Sequence, residues 1–197
     1  MPADARKVTP EDLIPDAEYA KVRRERRAAL LPVKRLRRVE LGPICTIFFE
    51  SYETMLFQIQ EMLLVEKGGE AQIADELAAY NPMIPNGSEL SATVMIEIED
   101  GAQRERALSR LGGIEDRMFL TVGGERISGI ADPTRENTSP QGKASSVQFL
   151  RFPLTPRQKS AFRTPGAQII VGIDHSNYGH MAVMPEAVRA ALAGDLG

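Results

Sequence analysis

The chain has 197 residues, a net charge of −3, 43% hydrophobic and 26% charged residues, enough for one folded domain with its own core. One cysteine, Cys45, and two histidines, His175 and His180, exclude disulfides, a cysteine-based zinc site, a CxxC redox pair and an iron–sulfur cluster held by this chain alone, and leave too few histidines for a three-histidine metal centre in one subunit. No apolar run is long enough to span a bilayer and the N-terminus lacks the apolar stretch of a signal peptide, so a cytoplasmic protein without a membrane partner is expected.

Residues 1–8 read as a polar tail and 9–197 as a single α+β domain. Thr9-Pro10-Glu11-Asp12 starts a helical turn, with Thr as cap and Pro at the first helical position, and Pro15 stops it. Asp16 then caps a longer helix expected to run until Pro32, with Tyr19, Val22, Ala29 and Leu30 as its apolar stripe. Residues 21–38 hold nine basic side chains against one acid, Glu25, and so carry +8 in a chain of net −3. Arg23, Arg24, Arg27, Arg35, Arg37 and Arg38 are therefore candidates for docking an acidic partner protein. The plainer alternative is a solvated face that pairs with the acidic remainder of the fold. No aromatic residues interleave with these charges and no nucleic-acid motif is present, so nucleic acid is not expected as a partner.

Residues 38–41 and 44–50 form a hairpin pattern around Gly42-Pro43, with Cys45 as a buried, inert thiol. The hairpin feeds a central helix capped by Ser51 and ended by Gly68-Gly69. Tyr52, Met55, Leu56, Ile59, Met62 and Leu63 line one face of it, and Phe57 and Leu64 lie nearly opposite, which predicts burial on two sides. Glu53, Gln58, Gln60 and Glu61 are the polar residues of this helix. Either they surround a pocket or metal site, or neighbouring backbone and solvent satisfy them.

A second helix over 70–80 and a stiff turn, Asn81-Pro82-Met83-Ile84-Pro85-Asn86-Gly87, lead to a cleanly alternating strand over 90–98. Beyond a charged helix at 102–111, strands at 118–122 and 126–130 flank Gly123-Gly124. Residues 131–145 read as a mobile surface loop, followed by a strand at 147–152 and a helix opened by the capping box of Thr155 and Gln158. A buried strand at 168–174, a turn, a strand at 181–184 and a last helix from Pro185 complete about eight strands. The connections are hairpins and short helices, so the expected fold is α+β, a largely antiparallel sheet packed with helices.

GxSxG, HExxH, phosphate-loop and dinucleotide patterns are absent. One constellation is concrete. Asp174, His175, Tyr178 and His180 share a turn that can meet Glu50, Glu53, Glu61, Glu89 or Glu97, a set suited to a divalent metal or to acid–base work. Asp-His-Ser-Asn is also ordinary turn chemistry. The pocket candidates are Glu53, Gln58, Gln60, Glu61, Glu89 and His175.

Several motifs carry a resemblance. Leu-Gly-Pro at 41–43, QIQEML at 58–63, AYNPMIPNGSELSAT at 79–93, QFLRFPLT at 148–155 and DHSNY at 174–178 resemble a bacterial family of uncharacterised proteins, domain of unknown function 3501, over nearly the whole chain. Genes of that family neighbour those of rubrerythrin-like and iron–sulfur proteins, so the resemblance implies a role beside a redox or peroxide-handling system. It assigns no catalytic residue. Two functions are thus expected: a non-catalytic binding or accessory protein that serves a redox partner or self-associates, or a small enzyme or metal or ligand sensor with a pocket beside the central helix.

Overall fold

The computed structural model describes residues 6–197, so most of the predicted polar tail, residues 1–5, lies outside the described residues. Two antiparallel sheets organise the fold. The first has strand order β1 (Arg38–Leu41), β2 (Cys45–Phe49), β3 (Glu89–Ile96), β7 (Val147–Pro153) and β6 (Ile130–Ala131). The second has the order β5 (Glu125–Ser128), β4 (Met118–Val122), β8 (Ile169–His175) and β9 (Tyr178–Val183). The expected α+β antiparallel architecture is what forms, with its strands divided between two sheets.

Alternation along the strands explains the layering. Cys45, Ile47 and Phe49 of β2, Leu90, Ala92, Val94 and Ile96 of β3, and Leu150 and Phe152 of β7 share one core with Met118, Leu120 and Val122 of β4 and Ile169, Val171 and Ile173 of β8. Each strand thus turns its apolar alternate residues toward the other sheet. The burial of Cys45 in this core pushes its thiol up to about 12, which makes it a poor nucleophile.

The opposite face of the first sheet is covered by helices α2 (Tyr52–Glu66) and α3 (Gly69–Tyr80). A second, smaller core joins Met55, Ile59 and Leu63 of α2 to Met83, Ile84 and Val8, with Phe149 of β7 packed against it. Helix α1 (Asp16–Arg35) packs on the other side of α2. The two-sided coverage read from the central helix is therefore real, and a short helix layer lies on a two-sheet sandwich. Val8 is fully buried, and its N–H and C=O bond to the Asn81 side chain at 2.8 and 3.0 Å.

Three local features differ from expectation. Helix α1 runs through Pro32 to Arg35. Both Pro32 and Ala28, whose carbonyl loses its partner, are exposed, so the proline falls where the missing bond is open to solvent. Lys67, with φ at 55°, closes α2 in the left-handed conformation, one residue ahead of the Gly-Gly pair. The segment predicted as a mobile loop is fastened by a bridge between Thr138 and Ala144, and Ala144 is buried in the main core. Helices α4 (Gly101–Leu108), α5 (Pro156–Arg163) and α6 (Glu186–Ala193) complete the chain; α5 carries the expected capping box of Thr155 and Gln158.

Candidate functional site

A cavity of about 430 Å³ lies between α2 and the helix-facing side of the first sheet. Strand register builds its floor. Phe48, Thr93 and Phe149 stand opposite one another on β2, β3 and β7, and Met95 pairs with Val147 in the next row. Thr54, Met55 and Gln58, on successive turns of α2, form the roof. Tyr80 closes one side at the end of α3, and Lys34 and Arg37 close the other. The continuation of α1 past Pro32 is what carries Lys34 to this position.

Aromatic and methionine side chains make up nearly half of the lining, and one carboxylate stands within it. Glu50 follows β2 and is 8% exposed. Its Oε1 accepts from Thr93 Oγ1 and its Oε2 from Thr54 Oγ1, both at 2.6 Å. Thr54 itself is locked, because its hydroxyl accepts the Ser51 N–H in the helix cap at 2.9 Å. The Glu50 carbonyl accepts from Arg37 Nη1 at 3.0 Å. Arg37 also donates two parallel bonds to Asp195, at 2.7 and 2.8 Å. Burial outweighs the guanidinium here and holds the Asp195 carboxyl above its ordinary range. Lys34 stands exposed at the mouth, 5.6 Å from the Phe57 ring centroid, and forms no ion pair among the described residues.

The six pocket candidates do not converge. Gln58 lines this cavity, half-buried. Glu53 and Gln60 border a separate groove of about 270 Å³ between α1 and α2. Gln60 is occupied by backbone: its Oε1 accepts the Ile14 N–H at 2.7 Å and its amide donates to the Ile14 carbonyl at 3.2 Å. Glu61 accepts from Tyr19 at 2.7 Å and from Arg23 through two nitrogens. Arg23 and Tyr19 hold its carboxyl below the ordinary range against the opposing effect of burial. Glu89 accepts from the Asn86 amide at 2.9 Å.

His175 lies on the second sheet, with both ring nitrogens engaged: Nε2 sits 3.2 Å from the Gly112 carbonyl and Nδ1 accepts the Asn177 N–H at 3.2 Å. Its turn partners are also spoken for. Asp174 pairs with Arg126, and His180 packs on the Tyr178 ring at 4.3 Å. Glu97 accepts from Thr46. Among the described residues no group of three or more histidine, cysteine or carboxylate side chains is placed to hold a metal ion. A further depression of about 530 Å³ beside β7 holds Asp132 and Arg135, which pair with each other.

The docking candidates divide. Arg23 is paired with Glu61, Arg38 with Glu40, and Arg37 is withdrawn into the interior by Asp195. Arg24, Arg27 and Arg35 are exposed and form no ion pair among the described residues. Sequence reasoning passed over Glu50, Thr54 and Thr93 as a unit, because the sheet register that joins Glu50 to Thr93 is not a sequence pattern.

A solved structure from Burkholderia pseudomallei K96243, titled as a novel protein of unknown function, is 42% identical. The alignment covers 97% of this chain and 100% of that one, with a TM-score of 0.90. No curated protein matched. Among the described residues, no helix is long and apolar enough to cross a membrane. A family profile described as "Protein of unknown function (DUF3501)" matches residues 7–196, and the chain belongs to that family.

Proposed function

We propose that this protein binds a small, largely apolar organic ligand in the cavity between α2 and the first sheet, as a binding protein and not an enzyme. The observation that carries this reading is the cavity itself. It offers about 430 Å³ walled mainly by apolar and aromatic side chains, with a few polar groups converging on one end. Ligand sites have this size and this balance, apolar walls for affinity and a few polar groups for orientation. The lining contains no histidine, no cysteine and no second carboxylate, which favours binding over turnover.

The test is titration with N-phenylnaphthylamine, a neutral apolar fluorophore. Saturable enhancement at one site per chain is expected, and Met95→Trp, which places an indole ring inside the cavity, weakens it while circular dichroism stays unchanged. Enhancement that never saturates, or that is unchanged by Met95→Trp, refutes the reading.

A second reading is favoured by Arg24, Arg27 and Arg35, which remain exposed on and at the end of α1 and form no ion pair among the described residues, Arg27 acting on Glu61 only at longer range. It is docking of an acidic protein, such as the rubrerythrin-type redox partner that the resemblance implies. Binding of that partner at low salt, weakened by the triple change of these arginines to glutamine and by added salt, is expected. Salt-insensitive binding counts against it.

A further inference from the structure

The charge balance around Glu50 narrows the ligand class, on the reading that the cavity is a ligand site. The hydrogen bonds to its carboxylate come from two neutral hydroxyls, those of Thr54 and Thr93. It forms no ion pair among the described residues. The nearest guanidinium, Arg37, bonds the Glu50 carbonyl oxygen, and its charge is met by Asp195. Lys34 stays at the solvent-exposed mouth.

A buried carboxylate without a cation carries a desolvation cost, which two hydroxyl donors offset only in part. Each of its oxygens has one such donor, and a carboxylate offers about four acceptor sites, so accepting capacity remains on a residue that lines the cavity. Phe48, Phe149 and Tyr80 line the same cavity: Phe48 and Phe149 already hold the guanidiniums of Arg38 and Arg135 at 5.7 and 4.2 Å from their ring centroids, and Tyr80, whose negative face can also attract a cation, has none over it among the described residues. A neutral ligand leaves this negative end unmatched, and an anionic one meets repulsion there.

We infer that the cavity takes an organic ammonium: an apolar amine whose charged nitrogen bonds to Glu50 while its hydrocarbon part packs against Phe48, Phe149 and Met95. The nitrogen completes an ion pair in a site of low dielectric, where such a bond is strongest.

The test is calorimetric titration of the full chain with three probes of one shape: phenethylammonium, phenethyl alcohol and hydrocinnamate. Phenethylammonium should bind about tenfold more tightly than the alcohol, and hydrocinnamate most weakly. Glu50→Gln should remove most of the preference for the ammonium and leave the alcohol nearly unchanged. Equal affinity for ammonium and alcohol, or tightest binding of hydrocinnamate, overturns the inference and leaves the cavity reading standing. Failure of all three probes, or binding that Met95→Trp does not disturb, removes the cavity reading and this inference with it. If Glu50→Gln does not fold, the order of the three affinities on the unsubstituted chain decides the matter alone.

Discussion

Arg37 and Asp195 meet with side chains only 10% and 4% exposed, across 158 positions of sequence. A pair this deeply buried gains less from its own attraction than it loses when one member is removed, because the survivor is then an uncompensated buried charge. Asp195→Ala or Arg37→Ala should therefore each cost on the order of 3–5 kcal/mol, and the double replacement Arg37→Met, Asp195→Leu far less than their sum. Urea unfolding of the three variants measures this; additive losses would show that the two side chains act independently. Arg37 is also the residue whose sequence reading fails most clearly. Within a run of basic residues it resembles its neighbours, and only Asp195 distinguishes it. Glu50 is illegible for the same reason, since its role depends on Thr93, 43 positions away beyond α2 and α3. Gln60 was legible as a polar residue needing a partner, but not the partner, Ile14.

Elements fare better than single side chains because their determinants are local. Ser51 caps α2, Thr155 caps α5, and the alternation of β3 assigns its residues to the correct faces. The passage of α1 through Pro32 was not legible, since it depends on which face of the helix meets water. What joins α1 to α2 is the cluster of Tyr19, Arg23 and Glu61. Glu61 stays ionised to lower pH in the folded chain than in the unfolded one, held by Arg23 first and then by Tyr19. Its contribution is therefore complete above the ordinary carboxylate value of about 4.3 and is lost as pH falls from there through the folded value. Arg23 is 43% exposed, so solvent screening leaves the ion pair only a small contribution. Glu61→Gln should lower stability slightly at pH 7, and the difference should shrink as pH falls below about 4. A difference that persists unchanged in acid would mean that the charge of Glu61 contributes nothing.

On the scale of the whole molecule, the division of strands between two sheets has the largest consequence. It was not written in any local pattern: β3 pairs with β7 across a stretch that contains the three strands β4, β5 and β6, two of them in the other sheet. Hydrophobic alternation says that a strand is half-buried and leaves open against which sheet. Once paired, β3 occupies the centre of the five-stranded sheet, with the inter-sheet core on one face and the α2 layer on the other. Its amides are bonded to both neighbours, and opening them requires parting the sandwich and the helix layer together. Helix α1 stands at the other extreme, since Tyr19 and Leu30 are its buried residues and its stretch from Arg24 to Ala29 is exposed. Native-state hydrogen exchange should thus find β3 exchanging only through global unfolding, with the full denaturant dependence of that event, and α1 exchanging through a smaller local opening. Because the α2 layer roofs the cavity, a bound amine should slow exchange in α2 and in β3 while leaving the outer half of α1 unchanged. If β3 exchanged before α1, the sheet order or the burial of its two faces would be wrong, and with it the floor on which Thr93 and Phe149 bring Glu50 to the cavity.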